Sequence, residues 1–396
     1  MKITSIELFP IDLRPVKPDY QGNQYSTHVP GTSTIIIRVN TDAGIHGLGE
    51  AVGGWRYFNQ TMGTMMDWLR GYSAALIGVN PLDMIGVHRV MERVSGEFPP
   101  GLQPARAGID LAVFDIIGKA RGCPVYEILG GAYRTEFELL TNLYELTPER
   151  KAAASREFVQ KGYRGLKVKM GTSTAARGVN VDTFKAEKAK LIAALQVVPD
   201  DVYIDADANQ SWVNAKIAVR IMEEVLSEKF YGNLSLEQPI HHLDLDGHRY
   251  IRNALKIPVI LDESVVSPQS VHQIVKHDAA DRIVLKWNRV GGLWQARKII
   301  DICEAVGIGI SLDTMPFTLL GDTANCHLGA TIRDPYPVDA DGHLWFEDTP
   351  FHGGLEMNGG RAAIGSQPGF GVELDEKKLK TMLIDAPGGL VTTRLP

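Results

Sequence analysis

The residues best suited to chemistry are two lysines and three acidic residues that lie in or directly after short apolar stretches. Lys167 and Lys169 stand one residue apart in Gly-Leu-Lys-Val-Lys-Met. Farther along the chain, apolar runs end in carboxylates at Asp207, Glu237 and Asp262. Such a set could supply bases for proton transfer and oxygen ligands for a hard divalent cation.

The lysines are predicted to act on one side of a strand. Side chains alternate between the two faces of a strand, so Lys167 and Lys169 point the same way. Each ammonium disfavours protonation of the other, which predicts lowered pKa values and bases usable near neutral pH. Lys286 ends another apolar run. Asp205, two residues before Asp207, is predicted to face the same way as Asp207 and to pair with a lysine. The alternative, two surface lysines on an edge strand, is disfavoured by their apolar neighbours.

The carboxylates are predicted to bind a cation. Three converging carboxylates would repel one another, and burial would add a desolvation cost. Ligands that are all oxygens favour magnesium, with manganese as the alternative. Asn209 should face the same way as Asp207 and contact a bound ligand or a water of the cation. Glu263, directly after Asp262, is expected either to orient Lys286 through an ion pair or to be a turn or helix-cap residue.

Short strands and helices alternate from about residue 135 onward, and these elements must position the site. Eight strands separated by helices indicate a (β/α) barrel, whose active site lies at the carboxyl ends of the strands. An open doubly wound sheet is the rival, but no Gly-x-Gly-x-x-Gly follows the first strand. The predicted strands are 136–140, 165–170, 202–206, 234–237, 259–262, 282–286, 309–312 and 344–346, and the helices include 148–160, 181–197, 212–229, 267–276 and 293–306.

The chain outside this pattern has a different organisation. Strands are predicted at 3–13, 33–40 and 45–52, and a helix at 105–121, where apolar residues recur at helical spacing. The glycine-rich segment 355–396 comes after the last predicted strand and is expected to fold back over this first part.

Composition excludes several classes of function. The net charge of -6 gives no basic patch for a nucleic acid. No run approaches the roughly 20 apolar residues of a membrane span. The three cysteines are widely separated, which fits reduced thiols better than a disulfide framework. The first residues alternate like a strand and lack a signal-peptide core, so we expect a cytoplasmic protein.

Taken in chain order, the motifs resemble those of the enolase superfamily and, within it, the muconate lactonizing enzyme subgroup of the mandelate racemase/muconate lactonizing enzyme family. The motifs are Lys167-Val168-Lys169, Asp207-Ala208-Asn209-Gln210, Glu237-Gln238-Pro239, Asp262-Glu263-Ser264, Lys286 followed by Gly291-Gly292, and the segments 47–51, 107–115 and 129–131. The resemblance implies an α/β fold, a modified TIM barrel (β/α)7β with an N-terminal α+β capping domain, often in homo-oligomers. The capping domain would be 1–130, completed by 355–396, and the barrel 131–354.

The resemblance also implies roles for the site residues. Magnesium would be bound by Asp207, Glu237 and Asp262. Lys169 and Lys286 would be acid and base on opposite faces of a small carboxylate substrate, and Lys167 would tune Lys169. The shared chemistry is removal of a proton α to a carboxylate, with the cation stabilising the charge that develops.

Several reactions can proceed from the intermediate that proton removal leaves. Lysines on both faces make a racemase or epimerase of an amino acid or its derivative, N-substituted or a betaine, the most economical outcome. A dehydratase of a hydroxy acid or a muconate-type cycloisomerase is the alternative, with lysine in an electrostatic role. A non-catalytic binding protein is disfavoured, because a cluster of like charges is costly to keep without a use.

Substrate specificity is predicted to depend on the cap loops and the last barrel strands. Aromatic residues with acidic neighbours there could hold a cationic amine through cation–π contacts. The alternative is that Trp345 is a core residue and Glu347 caps a turn. No Asp-x-Asp pair is predicted on the last strand, which disfavours dipeptides as substrates. Residues 171–180 are predicted to form an extended loop. The specificity candidates are Tyr25, Trp55, Tyr57, Asp313, Trp345 and Glu347.

Overall fold

The computed structural model describes residues 1–14, 32–52, 60–96, 103–144, 147–170, 181–229, 231–385 and 391–394. Its first part is an antiparallel sheet packed against helices. The strands are β1 (Ile3–Leu13), β2 (Thr32–Thr41) and β3 (His46–Val52), and the helices are α1 (Met62–Leu76), α2 (Met84–Ser95), α3 (Gln103–Arg121) and α4 (Val125–Ile128). Helix α3 packs on β3, and its apolar residues are buried along most of its length.

The second part alternates strand and helix, as the pattern predicts. Its elements are β4 (Glu136–Leu143), α5 (Pro148–Gln160), β5 (Gly165–Lys169), α6 (Val181–Leu195), β6 (Tyr203–Asp207), α7 (Ala215–Glu228), β7 (Leu234–Glu237), α8 (Leu245–Ala254), β8 (Val259–Leu261), α9 (Pro268–His277), β9 (Arg282–Leu285), α10 (Trp287–Val290), α11 (Leu293–Val306), β10 (Gly309–Leu312), α12 (Leu319–Ala330) and β11 (Val338–Asp339). The strands are almost entirely buried because helices cover one face and the barrel interior the other.

These strands form a closed barrel. Strands β4 to β10 pair in parallel with their neighbours in chain order. The short β11 pairs in parallel with β4, Val338 opposite Leu139, and also contacts β10. Seven strand–helix units followed by a last strand are the (β/α)7β barrel that the resemblance implies.

The position predicted for the eighth strand is wrong. Leu344 and its apolar neighbours are typical of a strand, but a 3-10 helix spans Gly342–Trp345. Asp322 holds this helix, because it accepts hydrogen bonds from the His343 backbone N–H at 2.7 Å and from Nδ1 of the His343 ring at 2.8 Å. The true last strand is two residues long and ends in Asp339, so no hydrophobic pattern marks it.

The C-terminal segment returns to both parts of the molecule. Strand β16 (Val391–Arg394) pairs with β1, as predicted for a segment that folds back. Strand β14 (Arg361–Ile364) pairs instead with β4 of the barrel. The remaining elements are β12 (Phe351–Gly353), β13 (Leu355–Asn358), β15 (Val372–Leu374) and α13 (Glu376–Met382). Among the helices that the structure describes, none is long and apolar enough to cross a bilayer.

Candidate active site

The predicted catalytic and metal-binding side chains lie at or near the carboxyl ends of barrel strands β5 to β9. Parallel strands bring these ends to one edge, which explains why residues far apart in sequence meet. Strands β5 and β9 are four positions apart in the eight-stranded barrel, so their side chains approach from opposite sides. The buried side chains of the site are Lys167, Lys169, Asp207, Glu237, Asp262, Lys286 and Asp313.

Lys167 is the centre of a buried ionic cluster. Its Nζ donates to both carboxylate oxygens of Glu237, at 3.0 and 2.8 Å, and lies 2.9 Å from Oδ1 of Asp313. Oδ2 of Asp205 is 3.7 Å away, which confirms the expected pairing of that residue with a lysine. Burial lowers the pKa of Lys167, but Asp313 and Glu237 outweigh burial and raise the pKa well above its usual value. The predicted lowering is therefore wrong for Lys167, because these carboxylates act on it more strongly than another lysine does.

A second ionic group surrounds Lys286. Its Nζ lies 2.8 Å from Oδ2 of Asp262 and 2.8 Å from Oδ2 of Asp313. The guanidinium of Arg289 lies 2.6 Å from Oδ1 of Asp262 and also donates to backbone carbonyl groups. Burial alone would raise the pKa of Asp262, but Arg289 and Lys286 lower it to about 2. Arg289 was not predicted, although it stands three residues after Lys286.

On the opposite side of the barrel, Lys169 forms an ion pair with Asp207. The Nζ of Lys169 also lies 6.0 Å from the ring centroid of Tyr144, which is the residue after β4. The rings of Tyr144 and Trp345 meet edge to face, with centroids 6.2 Å apart. The backbone N–H of Asn209 donates to Oδ1 of Asp207 at 2.9 Å, so Asn209 supports this carboxylate.

The carboxylates offer a place for a divalent cation. Oxygens of Glu237, Asp262 and Asp313 all lie within 4.8 Å of one another. Burial and the nearby Asp205 raise the pKa of Glu237 well above its usual value. The ionised carboxylate is therefore costly by itself, and a bound cation would remove that cost. Two predicted ligands, Glu237 and Asp262, are members of this group. The third predicted ligand, Asp207, remains a prediction, and Asp313 enters from β10 instead.

Glu263 lies in the turn directly after β8, as one of the two expectations has it. The expected ion pair with Lys286 is not formed among the described residues, and the N-cap of the next helix is Ser267. Oε1 of Glu263 instead accepts a hydrogen bond of 3.3 Å from the side chain of Asn209. Burial and the nearby Asp262 raise the pKa of Glu263 to about 7. Glu263 and Asn209 therefore link the ends of β8 and β6.

Gln238 connects two of the metal-ligand candidates, a role that the sequence motif Glu237-Gln238-Pro239 did not reveal. Its Oε1 accepts the backbone N–H of Asp262 at 2.8 Å, and its side-chain amide donates to Ser264 at 3.1 Å. Gln238 has a positive φ of 36°, as do Asn209 at 42° and Gln210 at 63°. Such conformations cost energy in residues other than glycine and cluster at functional sites. Polar residues directly after an acidic strand end are a signal that could have identified Gln238.

The predicted specificity residues fall into different places. Asp313 lies in the ionic cluster between Lys167 and Lys286. Trp345 is buried in the 3-10 helix, and Glu347 is exposed, with its backbone N–H bonded to the carbonyl of Arg14 at 2.9 Å. Three other candidates, Tyr25, Trp55 and Tyr57, and the predicted loop 171–180, lie outside the described residues.

An Asp-x-Asp pair stands at the carboxyl end of the last strand, where the prediction found none. Asp339 ends β11 and Asp341 stands two residues farther on, both buried. The side chain of Asn142 donates to Oδ2 of Asp339 at 2.7 Å. Burial raises the pKa of Asp341 to about 6. The pair was missed because the strand was placed after it, at 344–346.

Comparison with known proteins identifies the family. Residues 15–130 match the N-terminal domain of mandelate racemase and muconate lactonizing enzyme, and residues 149–378 match the enolase C-terminal domain-like family. The chain therefore belongs to the enolase superfamily, in the mandelate racemase/muconate lactonizing enzyme family, which confirms the resemblance seen in the motifs.

Individual relatives are similar over most of their length. An N-succinyl-L-Arg/Lys racemase of Bacillus cereus is 29% identical over 388 residues, 97% of this chain and 98% of that protein. A hydrophobic dipeptide epimerase of Enterococcus faecalis is 29% identical, over 83% of this chain and 88% of that protein. The crystal structure of N-succinyl Arg/Lys racemase from Bacillus cereus matches with a TM-score of 0.87 and 28% identity, over 100% of both chains.

Proposed function

We propose that this chain is a magnesium-dependent racemase or epimerase of an amino acid or amino-acid derivative. The observation that supports this most strongly is the opposition of Lys169 and Lys286. They come from diametrically opposed strands, and the three predicted metal ligands come from the strands between them. A substrate held between the two lysines exposes each face of its α-carbon to one of them.

The lysines exchange roles with the direction of reaction. One neutral lysine takes the α-proton, the C–H electron pair delocalises into the substrate carboxylate, and the opposite ammonium returns a proton to the other face. Tyr144 flanks Lys169, and Asp262 and Asp313 orient Lys286. Lys167 remains charged within its carboxylate cluster and orients Glu237.

We propose Asp207, Glu237 and Asp262 as the residues that hold magnesium, with manganese as the alternative and Asp313 beside them. Dense, buried carboxylate oxygens are the donors that hard divalent cations prefer. When bound, the ion supplies positive charge that stabilises the negative charge developing on the substrate carboxylate.

The acidic pair at the last strand favours a substrate that also carries a cationic amine. Asp339 and Asp341 lie at the carboxyl end of β11, between β10 with Asp313 and β4 with Tyr144 after it. Tyr144 and Trp345 add aromatic surface to which a cation is attracted. Relatives that act on N-succinyl-Arg/Lys and on dipeptides support this class.

The second candidate is a dehydratase or a muconate-type cycloisomerase. A cis-3-hydroxy-L-proline dehydratase of Roseibium aggregatum is 28% identical over 94% of this chain, which supports elimination as the alternative.

We also propose a capping domain of 1–130, completed by 355–396, and a barrel of 131–354. We propose further that the protein is cytoplasmic and forms a homo-oligomer, whose size light scattering in solution measures.

Proton NMR in heavy water with magnesium tests the proposal. Pools of N-succinyl amino acids, dipeptides, free amino acids and betaines are supplied as separate enantiomers. The expected result is loss of the α-proton signal by exchange with solvent deuterium, with the opposite enantiomer detected by chiral chromatography of the recovered substrate. Lys169→Ala and Lys286→Ala should each abolish inversion, whereas exposed Lys161→Ala should not. A keto acid as product would favour the dehydratase, and full turnover by both variants would contradict the two-lysine mechanism.

A further inference from the structure

Helices of the barrel differ in how their N-termini are capped. Four of them begin with a side chain of their own that accepts a backbone N–H of the first turn, the usual way of satisfying those groups. These caps are Thr147 for α5, Asn214 for α7, Asp244 for α8 and Ser267 for α9. Helices α11 and α12, which come after β9 and β10, have no such bond from their N-cap residues Gly292 and Thr318.

The missing cap of α11 is supplied by Asp110 of helix α3. Oδ1 of Asp110 accepts the backbone N–H of Leu293 at 2.6 Å, and Oδ2 lies 3.4 Å from that of Trp294. Gly292 has a φ of 111°, and a Cβ on it would come within 2.3 Å of the Asp110 carboxyl group. Glycine at position 292 therefore leaves room for a carboxylate from the first part of the chain. Nε2 of His88 lies 2.8 Å from Oδ2 of Asp110 and holds that carboxylate in place.

Glu50 of strand β3 supplies the cap of α12. Its carboxylate accepts the backbone N–H of Thr318 at 2.8 Å, the Thr318 hydroxyl at 2.7 Å and the backbone N–H of Gly321 at 3.1 Å. The Gly321 N–H is the group that an N-cap side chain normally accepts. Glu50 is fully buried, so its charge is balanced chiefly by these donors and the positive end of the helix.

Both capped segments restrict the position of Lys286. The segment that starts at Lys286 runs through α10 to Gly292 and ends at the Asp110 cap. The ring of Trp287, the next residue, stacks on Phe317 with centroids 4.6 Å apart and planes 14° apart. Phe317 directly precedes the Thr318 that Glu50 holds. Lys286 is therefore braced along the chain by Asp110 and, from the segment after the neighbouring strand β10, by Glu50.

We propose that Glu50 and Asp110 are positioning residues that set Lys286 against its partner Lys169. Both caps come from the first part of the chain, Asp110 from helix α3 and Glu50 from strand β3. This inference rests on the proposed two-lysine racemisation and adds to it a division of labour between the two parts of the molecule.

The test compares α-proton exchange with inversion in Glu50→Gln and Asp110→Asn. N-succinyl-L-lysine and N-succinyl-D-lysine are the probes. If the wild type exchanges neither of them, the probes are the two enantiomers of a compound from the NMR pools that it does exchange. A displaced Lys286 leaves Lys169 able to exchange one enantiomer without inverting it. Because displacements of about 1 Å can cost 100-fold, we expect inversion to fall about 10- to 100-fold relative to that exchange.

Asp115→Asn is the matched control. Asp115 is also a buried carboxylate of α3, and it accepts the backbone N–H groups of Leu48 at 2.9 Å and Phe370 at 3.1 Å, neither of which belongs to a capped helix. Its variant should lose stability but keep the wild-type ratio of exchange to inversion. Should Glu50→Gln or Asp110→Asn fail to fold, Phe317→Leu breaks the stack on Trp287 with both caps intact and should skew the ratio in the same direction.

The outcomes distinguish failure of the positioning role from failure of the proposed function. A wild-type protein that neither exchanges nor inverts any probe contradicts the proposed function. A wild type that racemises, with cap and Phe317 variants that slow exchange and inversion equally, overturns the positioning role and leaves the proposed function standing.

Discussion

Replacement of Lys167 by methionine should destabilise the protein and tighten its binding of a divalent cation. Lys167 is fully buried and faces Glu237, Asp313 and Asp205 at 2.8, 2.9 and 3.7 Å. Removing one partner of a buried ion pair typically costs about 3–5 kcal/mol, because the other charge is left uncompensated. With chelator present, we expect the free energy of unfolding to fall by about that amount in urea titrations.

The effect on the cation arises from competition for one carboxylate. Lys167 donates to both oxygens of Glu237, a proposed ligand. Two unit charges about 4 Å apart repel by about 4 kcal/mol at an effective dielectric constant of 20, and a divalent ion doubles that. If relaxation leaves only about a quarter of the total, roughly 2 kcal/mol, magnesium affinity still rises more than tenfold.

Isothermal titration with magnesium measures that affinity, and urea titrations with and without magnesium measure the stability. Lys190→Met is the control, because Lys190 is also buried and its amine lies 3.0 Å from Glu187, outside the cluster. It should lose stability without any change in affinity. An unchanged or weaker affinity in Lys167→Met would refute the view that Lys167 and the cation share Glu237.

Three further predictions concern other parts of the structure. Gln238→Leu should weaken magnesium binding about 10- to 100-fold in titration calorimetry, because Gln238 holds the backbone of Asp262; unchanged affinity would contradict this role. Burial raises the folded-state pKa of Glu50 to about 7, so its stabilising effect is complete below about pH 4.5 and lost as pH rises through 7. Glu50→Gln should therefore lower unfolding free energy more at pH 5 than at pH 8, by up to about 3 kcal/mol, and a difference independent of pH would refute it. Trp345→Leu should raise KM for a cationic substrate about 3- to 30-fold with a smaller change in kcat, and equal changes for cationic and neutral substrates would exclude a cation–π role.

Much of the barrel could be predicted from local patterns. Strand β7 at Leu234–Glu237 and helix α5 at Pro148–Gln160 begin and end where the sequence places them. Short apolar runs between helices are typical of buried parallel strands, and acidic residues at their ends mark the edge where a site forms. The eighth strand could not be found in this way, because β11 has two residues and one of them is Asp339.

The electrostatics of the site depend on contacts that spacing does not reveal. Lys167 and Lys169 share a face of β5, which predicts mutual repulsion. Their ammonium groups instead pair with separate carboxylates, Lys167 with Glu237 and Asp313, and Lys169 with Asp207. The pKa of a buried group reflects every charge in its neighbourhood, and most of those charges lie on strands distant in sequence.

The helix caps show which helix starts local capping rules explain and which depend on contacts from elsewhere in the fold. Thr147, Asn214, Asp244 and Ser267 obey the expected capping rule and each satisfies its own helix. Gly292 has no side chain to cap α11, and the Thr318 hydroxyl donates outward to Glu50. Because buried backbone N–H groups must find acceptors, a core helix without its own cap requires one from elsewhere in the fold. Buried carboxylates in the first part of the chain meet that requirement at α11 and α12, so the starts of these two helices mark where the two parts of the molecule are joined.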